Sequence, residues 1–211
     1  LYGGTLNLLR QDFARRGIAY NQVDFSNPDA VKQAIKPETK LLYFETPSNP
    51  LLQIADMAAI SKLAGDDVLT MVDNTFASPI NQTPATHGVD IVVHSGTKYL
   101  GGHSDMTFGV VAGAGARIHE IRQTAKLFGG NINTMDAYLI ERSLKTLAIR
   151  VQRQNENAGA IARFLDNHPA VAAVYYPGLP GHAGHKVASR QMLGFGGMLS
   201  FSLSNNTREA A

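Results

Sequence analysis

The chain alternates short apolar runs with helical patterns, and each apolar run ends in a cluster of polar residues. The runs at residues 41–44, 68–72 and 91–93 are rich in Leu, Ile and Val, which is typical of strands buried on both faces. In one intervening segment, Asp56 can cap a helix on which Met57, Ile60 and Leu63 share a face. Strand–helix–strand alternation predicts an α/β fold with a mostly parallel sheet flanked by helices.

The pattern changes toward the end of the chain. Residues 198–204 alternate apolar and polar side chains, which predicts an antiparallel strand with one solvated face, and residues 171–175 are its expected neighbour. We therefore predict a large domain over residues 1–147 and the beginning of a smaller α+β domain over residues 148–211. Because the sequence starts at Leu1 without an initiator Met, we expect it to be part of a longer protein.

Composition narrows the function classes. Hydrophobic residues make up 44% of the chain and charged residues 17%, which argues against disorder. A net charge of +2 without a basic run gives no case for nucleic acid, and no apolar run reaches the roughly 18 residues of a membrane span. The absence of Cys excludes disulfides and thiolate metal ligands. We expect a cytoplasmic enzyme with a small-molecule substrate and with no nucleic-acid or membrane partner.

The polar clusters follow three predicted strands at residues 45–50, 73–75 and 94–99. In an open parallel sheet, ligands bind at the carboxyl ends of the strands, so these clusters should meet at one edge. They bring together one amine, one carboxylate, one amide and two hydroxyls. Such a set is what pyridoxal 5′-phosphate (PLP) requires of a protein.

Each group has a role that its chemistry allows. The amine of Lys98 can form an imine with the cofactor aldehyde. The carboxylate of Asp73 can keep the pyridine nitrogen protonated. The hydroxyls of Ser95 and Thr97 can donate to the phosphate, and the ring of Tyr2 can stack on the cofactor.

Taken singly, each of these residues has a plainer interpretation. A Lys after a strand is usually a solvated surface residue, and an Asp there is more often a cap or turn residue. Asn49 lies between two prolines and could serve only the loop, while Tyr2 could simply pack in the core. Only their conjunction on adjacent strands favours a cofactor site.

Two other patterns are weak. The stretch at residues 113–116 contains two glycines but lacks the third glycine of a dinucleotide loop, so NAD binding is not predicted. His182 and His185 lie in a loop rich in Pro and Gly without a carboxylate near them in sequence, and a solvated loop is favoured over a metal site.

Several motifs, in this order, strongly resemble the trans-sulfuration (Cys/Met metabolism) family of PLP-dependent enzymes. That family comprises cystathionine γ-lyase, γ-synthase and β-lyase, methionine γ-lyase and the O-acylhomoserine sulfhydrylases. The motifs lie at residues 1–5, 45–50, 72–76, 94–99, 102–105, 144–147, 176–180 and 194–198, and so span nearly the whole chain.

The resemblance implies an aspartate-aminotransferase-like fold with PLP as the cofactor, in a homotetramer built from dimers that share active sites. It implies catalytic roles for Lys98, as the Schiff-base lysine and proton carrier, and for Tyr2. The implied cofactor-binding residues are Lys98, Asp73, Ser95, Thr97, Tyr2 and Asn49. The arginine that binds the substrate carboxylate in the family, and the phosphate ligands from a neighbouring subunit, lie outside this chain.

The resemblance leaves the reaction open. It favours cystathionine γ-lyase, which converts cystathionine to cysteine, 2-oxobutanoate and ammonia, with cystathionine γ-synthase next. Gly4 occupies the place where many methionine γ-lyases have Cys, so the support for methionine γ-lyase is weaker. O-acylhomoserine sulfhydrylase is a further alternative. A hypothesis of another class is a non-catalytic fragment that acts only in assembly.

Overall fold

The computed structural model describes residues 1–204. Eight α-helices and six strands lie within that range, together with a π-helical turn at Leu9–Phe13 and a 3₁₀ turn at Pro84–His87. The helices are α1 Gly3–Leu8, α2 Pro28–Ala34, α3 Met57–Ala64, α4 Ser78–Asn81, α5 Gly115–Leu127, α6 Thr134–Leu144, α7 Leu147–Asp166 and α8 His185–Gln191. The strands are β1 Leu41–Glu45, β2 Leu69–Asp73, β3 Ile91–Ser95, β4 Gly109–Gly113, β5 Val171–Tyr175 and β6 Ser200–Leu203.

The main sheet has the strand order β1-β2-β3-β4, and its first three strands are parallel. This confirms the predicted α/β fold with a mostly parallel sheet. The antiparallel edge strand β4 was not predicted. It overlaps the glycine-containing stretch that gave only a weak dinucleotide pattern, and Gly109 and Gly113 at its two ends obscure the strand signal.

One apolar cluster joins the sheet to its helices. Phe44 of β1, Val72 of β2 and Val92 of β3 point to the same face and are buried against Met57 and Ile60 of α3. These are the apolar positions that the sequence places in runs and on one helix face. Burial of this face holds the three parallel strands together as a single layer.

Helix α3 begins as the sequence predicts. The side chain of Asp56 accepts a hydrogen bond from the backbone N–H of Ala59 at 3.0 Å, which satisfies one of the free donors of the first turn. Asp56 also pairs with Arg190 of α8 at 3.0 Å. The same carboxylate therefore caps one helix and links it to a segment that is distant in sequence.

The late part of the chain forms a second sheet. Strands β5 and β6 pair antiparallel, which confirms the strand pair expected at the end of the sequence. The helical region before them is two helices, α6 and α7, separated at Lys145 and Thr146. The domain boundary predicted at residue 147 falls at the first residue of α7, and it remains a prediction.

Within residues 1–204, no helix combines the length and the apolar composition needed to cross a membrane.

Replacement of Phe44 by Ala tests the central cluster. Phe44 is 1% exposed and stacks on Phe25 with ring centroids 5.2 Å apart. We expect the free energy of unfolding to fall by about 3–5 kcal/mol because a large buried ring leaves a cavity. Chemical denaturation measures this loss. Phe164→Ala is the matched control, since that ring is mostly exposed and should cost less than about 1 kcal/mol; equal losses would contradict the assigned core.

Candidate active site

The register of the parallel strands aligns the predicted site residues along one edge of the sheet. Glu45 is the register partner of Asp73, and Asp73 is the partner of Val93. Because side chains alternate along a strand, Glu45, Asp73, Val93 and Ser95 point to the same face. That face is opposite to the one that packs on α3. The carboxyl ends of the three parallel strands therefore lie at one edge of the sheet, as predicted.

Asp73 is held at the end of β2 by two contacts. Its Oδ1 accepts a hydrogen bond from the backbone N–H of Thr75 at 2.9 Å, and its Oδ2 lies 3.5 Å from the hydroxyl of Tyr43. The hydroxyl oxygen of Thr75 in turn accepts from the backbone N–H of Ser95 at 2.8 Å. Thr75 therefore ties the loop after β2 to the end of β3, and so sets Asp73 beside Ser95.

The turn that follows β3 carries Lys98 with its side chain exposed. Thr97 Oγ1 accepts a hydrogen bond from the backbone N–H of Phe108 at 3.2 Å, so its own O–H is available to donate elsewhere. A Cβ at Gly96 would lie 2.1 Å from the ring of Phe108, which only glycine avoids. The turn is consequently packed on one side and open on the side of the amine.

Tyr2 lies at the same edge of the sheet. Its backbone N–H donates a 2.7 Å hydrogen bond to the carboxylate of Glu45, whose side chain is 7% exposed. The ring of Tyr2 is largely exposed. Glu45 therefore fixes the backbone at Tyr2 while leaving the ring accessible.

Asn49 lies in the loop after β1 and is exposed. It lines an open cleft of about 400 Å³ with Tyr43, Glu45 and Ser48. Within the described chain the lining of this cleft does not extend to Lys98. The cleft and the strand-end cluster adjoin each other at Glu45, so Asn49 lies beside the cluster rather than within it.

A network of buried side-chain amides lies next to this edge of the sheet. The side-chain nitrogen of Gln82 donates to the side-chain oxygen of Asn74 at 2.8 Å and to the carbonyl of Thr46 at 3.0 Å. The side-chain oxygen of Gln82 accepts a hydrogen bond from the side-chain nitrogen of Gln191 at 3.2 Å. All four residues are buried. Since Asn74 directly follows Asp73, this network restrains the loop that carries the carboxylate.

Two titratable groups near Asp73 are kept uncharged by their surroundings. Burial raises the pKa of the Tyr43 hydroxyl far above its ordinary value, and the negative charge of Asp73 adds to the effect. Burial lowers the pKa of His94 below 6.5, and the carboxylate of Asp73 only partly opposes this. The phenol of Tyr43 and the imidazole of His94 are therefore uncharged near neutral pH.

Sequence reasoning gave no role to Tyr43 or Thr75, and it named Glu45 only as part of a polar cluster. Tyr43 was read as one member of an apolar run. The alternation of side chains along β1 puts Tyr43 and Glu45 on one face, and this signal could have identified them. The link from Thr75 to Ser95 spans 20 residues of sequence, and no local pattern predicts it.

Residues 1–211 match the sequence model of the family described as Cys/Met metabolism PLP-dependent enzyme. The chain is 48% identical over 207 residues to a cystathionine β-lyase of Lactococcus lactis subsp. cremoris, covering 97% of this chain and 54% of that protein. It is 47% identical over 211 residues to a cystathionine γ-synthase of Mycobacterium tuberculosis, covering 99% and 54%. The chain thus spans about half the length of these curated relatives.

Among solved structures, cystathionine γ-lyase from Lactobacillus plantarum, complexed with L-serine, superimposes with a TM-score of 0.94 at 45% identity. The match covers 97% of this chain and 54% of that one. Sequence and structure therefore agree on the fold, while the names of the relatives divide among three reactions.

His94 should make stability depend on pH. Because its pKa is lowered in the folded protein, the unfolded chain binds more protons below 6.5, and the free energy of unfolding should fall as the pH drops below that value. Urea denaturation on either side of pH 6.5 measures the slope. The His94→Gln variant should show a smaller dependence of stability on pH. The same is expected of His182→Gln, because burial also lowers the pKa of His182. An unchanged slope in both variants would contradict the assigned burial.

Proposed function

Because the chain belongs to the family of PLP-dependent enzymes of Cys/Met metabolism, we propose that it forms the cofactor-holding part of an enzyme that eliminates or replaces the γ-substituent of a sulfur amino acid. The observation that supports the proposal is that Asp73 and Ser95 end neighbouring parallel strands at one sheet edge, with the exposed Lys98 three residues after Ser95. The register of β2 with β3 and the hydrogen bond from Ser95 to Thr75 create this arrangement.

The chemistry of the side chains at this edge fits PLP. Lys98 offers an accessible primary amine for the aldehyde, and Asp73 offers a carboxylate for the ring nitrogen. Ser95 and Thr97 offer hydroxyl donors to the phosphate. Tyr2 offers an exposed ring that can stack, and the amide of Asn49 can approach the phenolic oxygen from the adjoining cleft.

When bound, PLP supplies an electron sink for the bond that breaks at the substrate Cα. The amine of Lys98 would remove the proton from Cα, and removal of a proton from Cβ would follow before the γ-substituent leaves. Asp73 keeps a proton on the ring nitrogen, and its contacts with Thr75 and Tyr43 hold it in place for this task. The hydroxyl of Tyr2 donates a proton to the leaving sulfur.

Within the family, cystathionine γ-cleavage is the reaction that we propose first, since motif resemblance favours it and a γ-lyase is among the similar structures. Synthase activity has equal support from the relatives, and β-lyase, methionine γ-lyase and sulfhydrylase activities are further outcomes of the same test.

Product analysis distinguishes these outcomes in the protein expressed from its complete gene. With cystathionine, cleavage at Cγ releases cysteine, 2-oxobutanoate and ammonia, whereas cleavage at Cβ releases homocysteine, pyruvate and ammonia. Formation of cystathionine from an O-acylhomoserine and cysteine identifies a synthase. A protein that binds no PLP and forms none of these products would support a role limited to assembly.

The Lys98→Ala variant tests the assigned lysine. Its elimination rate should fall by at least about 10²–10⁴-fold, because a general acid–base group is lost along with covalent attachment of the cofactor. Peptide mapping after borohydride reduction shows which lysine carries PLP. Lys62→Ala is the control, since Lys62 lies on α3 away from the strand ends, and its rate should match the wild type. Near-normal elimination by Lys98→Ala would mean that another lysine is used.

The companion variant Asp73→Asn separates cofactor attachment from electron withdrawal. PLP should still attach to Lys98, but turnover should drop because the amide cannot hold the ring nitrogen protonated. Unchanged turnover would contradict the proposal that Asp73 keeps the ring nitrogen protonated.

The family resemblance also predicts a cytoplasmic homotetramer, and one observation supports self-association. Large apolar side chains are exposed along residues 127–149, from the end of α5 to the start of α7. They are Leu127, Phe128, Ile132, Met135, Tyr138, Leu144 and Ile149. Monomers rarely expose so many apolar groups on neighbouring segments, and a second copy of the protein is the partner that we propose.

Charge placed in that surface should weaken the assembly. A double variant, Phe128→Asp with Tyr138→Asp, should have a lower mass than the wild type by light scattering, because unpaired carboxylates are costly to bury in an interface. Phe164→Asp, on the exposed side of α7, is the control and should keep the wild-type mass. A wild type that is monomeric at micromolar concentration would refute the proposed assembly.

A further inference from the structure

The turn that carries Lys98 is closed by its own backbone. Lys98 N–H donates to the carbonyl of Ser95 at 3.2 Å, Gly101 N–H to that of Gly96 at 2.7 Å, and Gly102 N–H to that of Lys98 at 2.8 Å. The carbonyls of the two residues that directly follow the lysine take no part in these bonds. Their partners in the structure come from elsewhere in the chain.

Arg150 provides those partners from the first turn of α7. Its Nη1 donates to the carbonyl of Tyr99 at 2.8 Å, and its Nη2 lies 3.4 Å from the carbonyl of Leu100. Nη2 also donates to the carbonyl of Ser143 at 3.0 Å, and Nε donates to the hydroxyl of Thr146 at 3.1 Å. One guanidinium therefore joins the lysine turn to the end of α6 and the beginning of α7.

Apolar packing supports the same junction. Leu100 is buried against Leu147 and Val151, which lie three residues before and one residue after Arg150 on α7. These contacts hold the first turn of α7, which carries Arg150, against the lysine turn. Its partners among the described residues are carbonyl and hydroxyl oxygens rather than a carboxylate, and burial lowers its pKa.

The backbone of the turn is shaped around this guanidinium. Gly102 has φ +75°, and a Cβ there would lie 2.1 Å from Nη1 of Arg150. Any other residue would be strained at this φ, and its Cβ would displace the guanidinium. A lysine at position 150 could not replace the arginine fully, because an ammonium group lacks the planar fork that reaches two carbonyls at once.

We propose that Arg150 is a positioning residue that clamps the carbonyls of Tyr99 and Leu100, and so fixes the direction in which the Lys98 amine leaves its turn. This rests on the proposed function, in which Lys98 holds PLP and moves the Cα proton. Such steps are sensitive to geometry, and a displacement of about 1 Å can cost on the order of 10²-fold in rate. Arg150 acts without touching cofactor or substrate.

The first test requires no cofactor. In cofactor-free protein expressed from the complete gene, hydrogen–deuterium exchange at residues 96–102 should be roughly tenfold faster in Arg150→Ala, because hydrogen bonds from a charged donor are lost. Arg150→Lys should give an intermediate rate and covers the case in which the alanine variant fails to fold. Arg153→Ala is the matched control. Arg153 lies on the same helix and pairs only with exposed Glu156 at 3.3 Å among the described residues, so its exchange should equal the wild type.

The second test uses the PLP-loaded protein. In Arg150→Ala, attachment of PLP to Lys98 should be slower and kcat should fall by about 10²-fold, while KM changes little and Arg150→Lys recovers part of the loss. A lower melting temperature with unchanged attachment rate and unchanged kcat per bound PLP would overturn the proposal, as would unchanged exchange at residues 96–102. Failure of the wild type to attach PLP at Lys98 would refute the proposed function instead, and the exchange measurement would still decide on the clamp.

Discussion

The alignment of three parallel strands is the constraint on which the candidate site depends. Because β1, β2 and β3 run in the same direction and pair in register, their last residues lie at one edge of the sheet. Glu45, Asp73 and Ser95 are the strand ends that meet there, and each adds a polar group to a common face. Burial of the opposite face against α3 makes this alignment stable, since a slip of one residue would turn the apolar set toward solvent.

Hydrogen bonds from distant parts of the chain then hold the loops at this edge of the sheet. The amides of Gln82 and Gln191 join the loops after β1 and β2 to α8. A second amide pair, Asn81 with Asn155 at 2.7 and 3.0 Å, joins α4 to α7. Together with the Arg150 clamp, these amides connect the loops of the main sheet to the C-terminal helices. The geometry of the site therefore depends on residues on both sides of the predicted boundary at residue 147.

Most of the fold could be predicted from local patterns. The strands β1, β2 and β3, the cap at Asp56 and the antiparallel pair β5–β6 all follow from apolar periodicity and helix-capping chemistry, which act over a few residues. Strand β4 escaped prediction because its short run between glycines resembles a loop. The family, the cofactor and the candidate residues followed from motifs in the same way, whereas the supporting contacts of Asp73 did not.

The sequence by itself determined which groups are available: an amine at Lys98, a carboxylate at Asp73, and hydroxyls beside them at the ends of apolar runs. Only the tertiary structure decided which residues hold these groups in place. Thr75 reaches Ser95 across 20 residues, and Arg150 reaches Tyr99 across 51. Hydrogen bonds of this kind depend on distances set by the packing of whole elements, so no local pattern of residues specifies them.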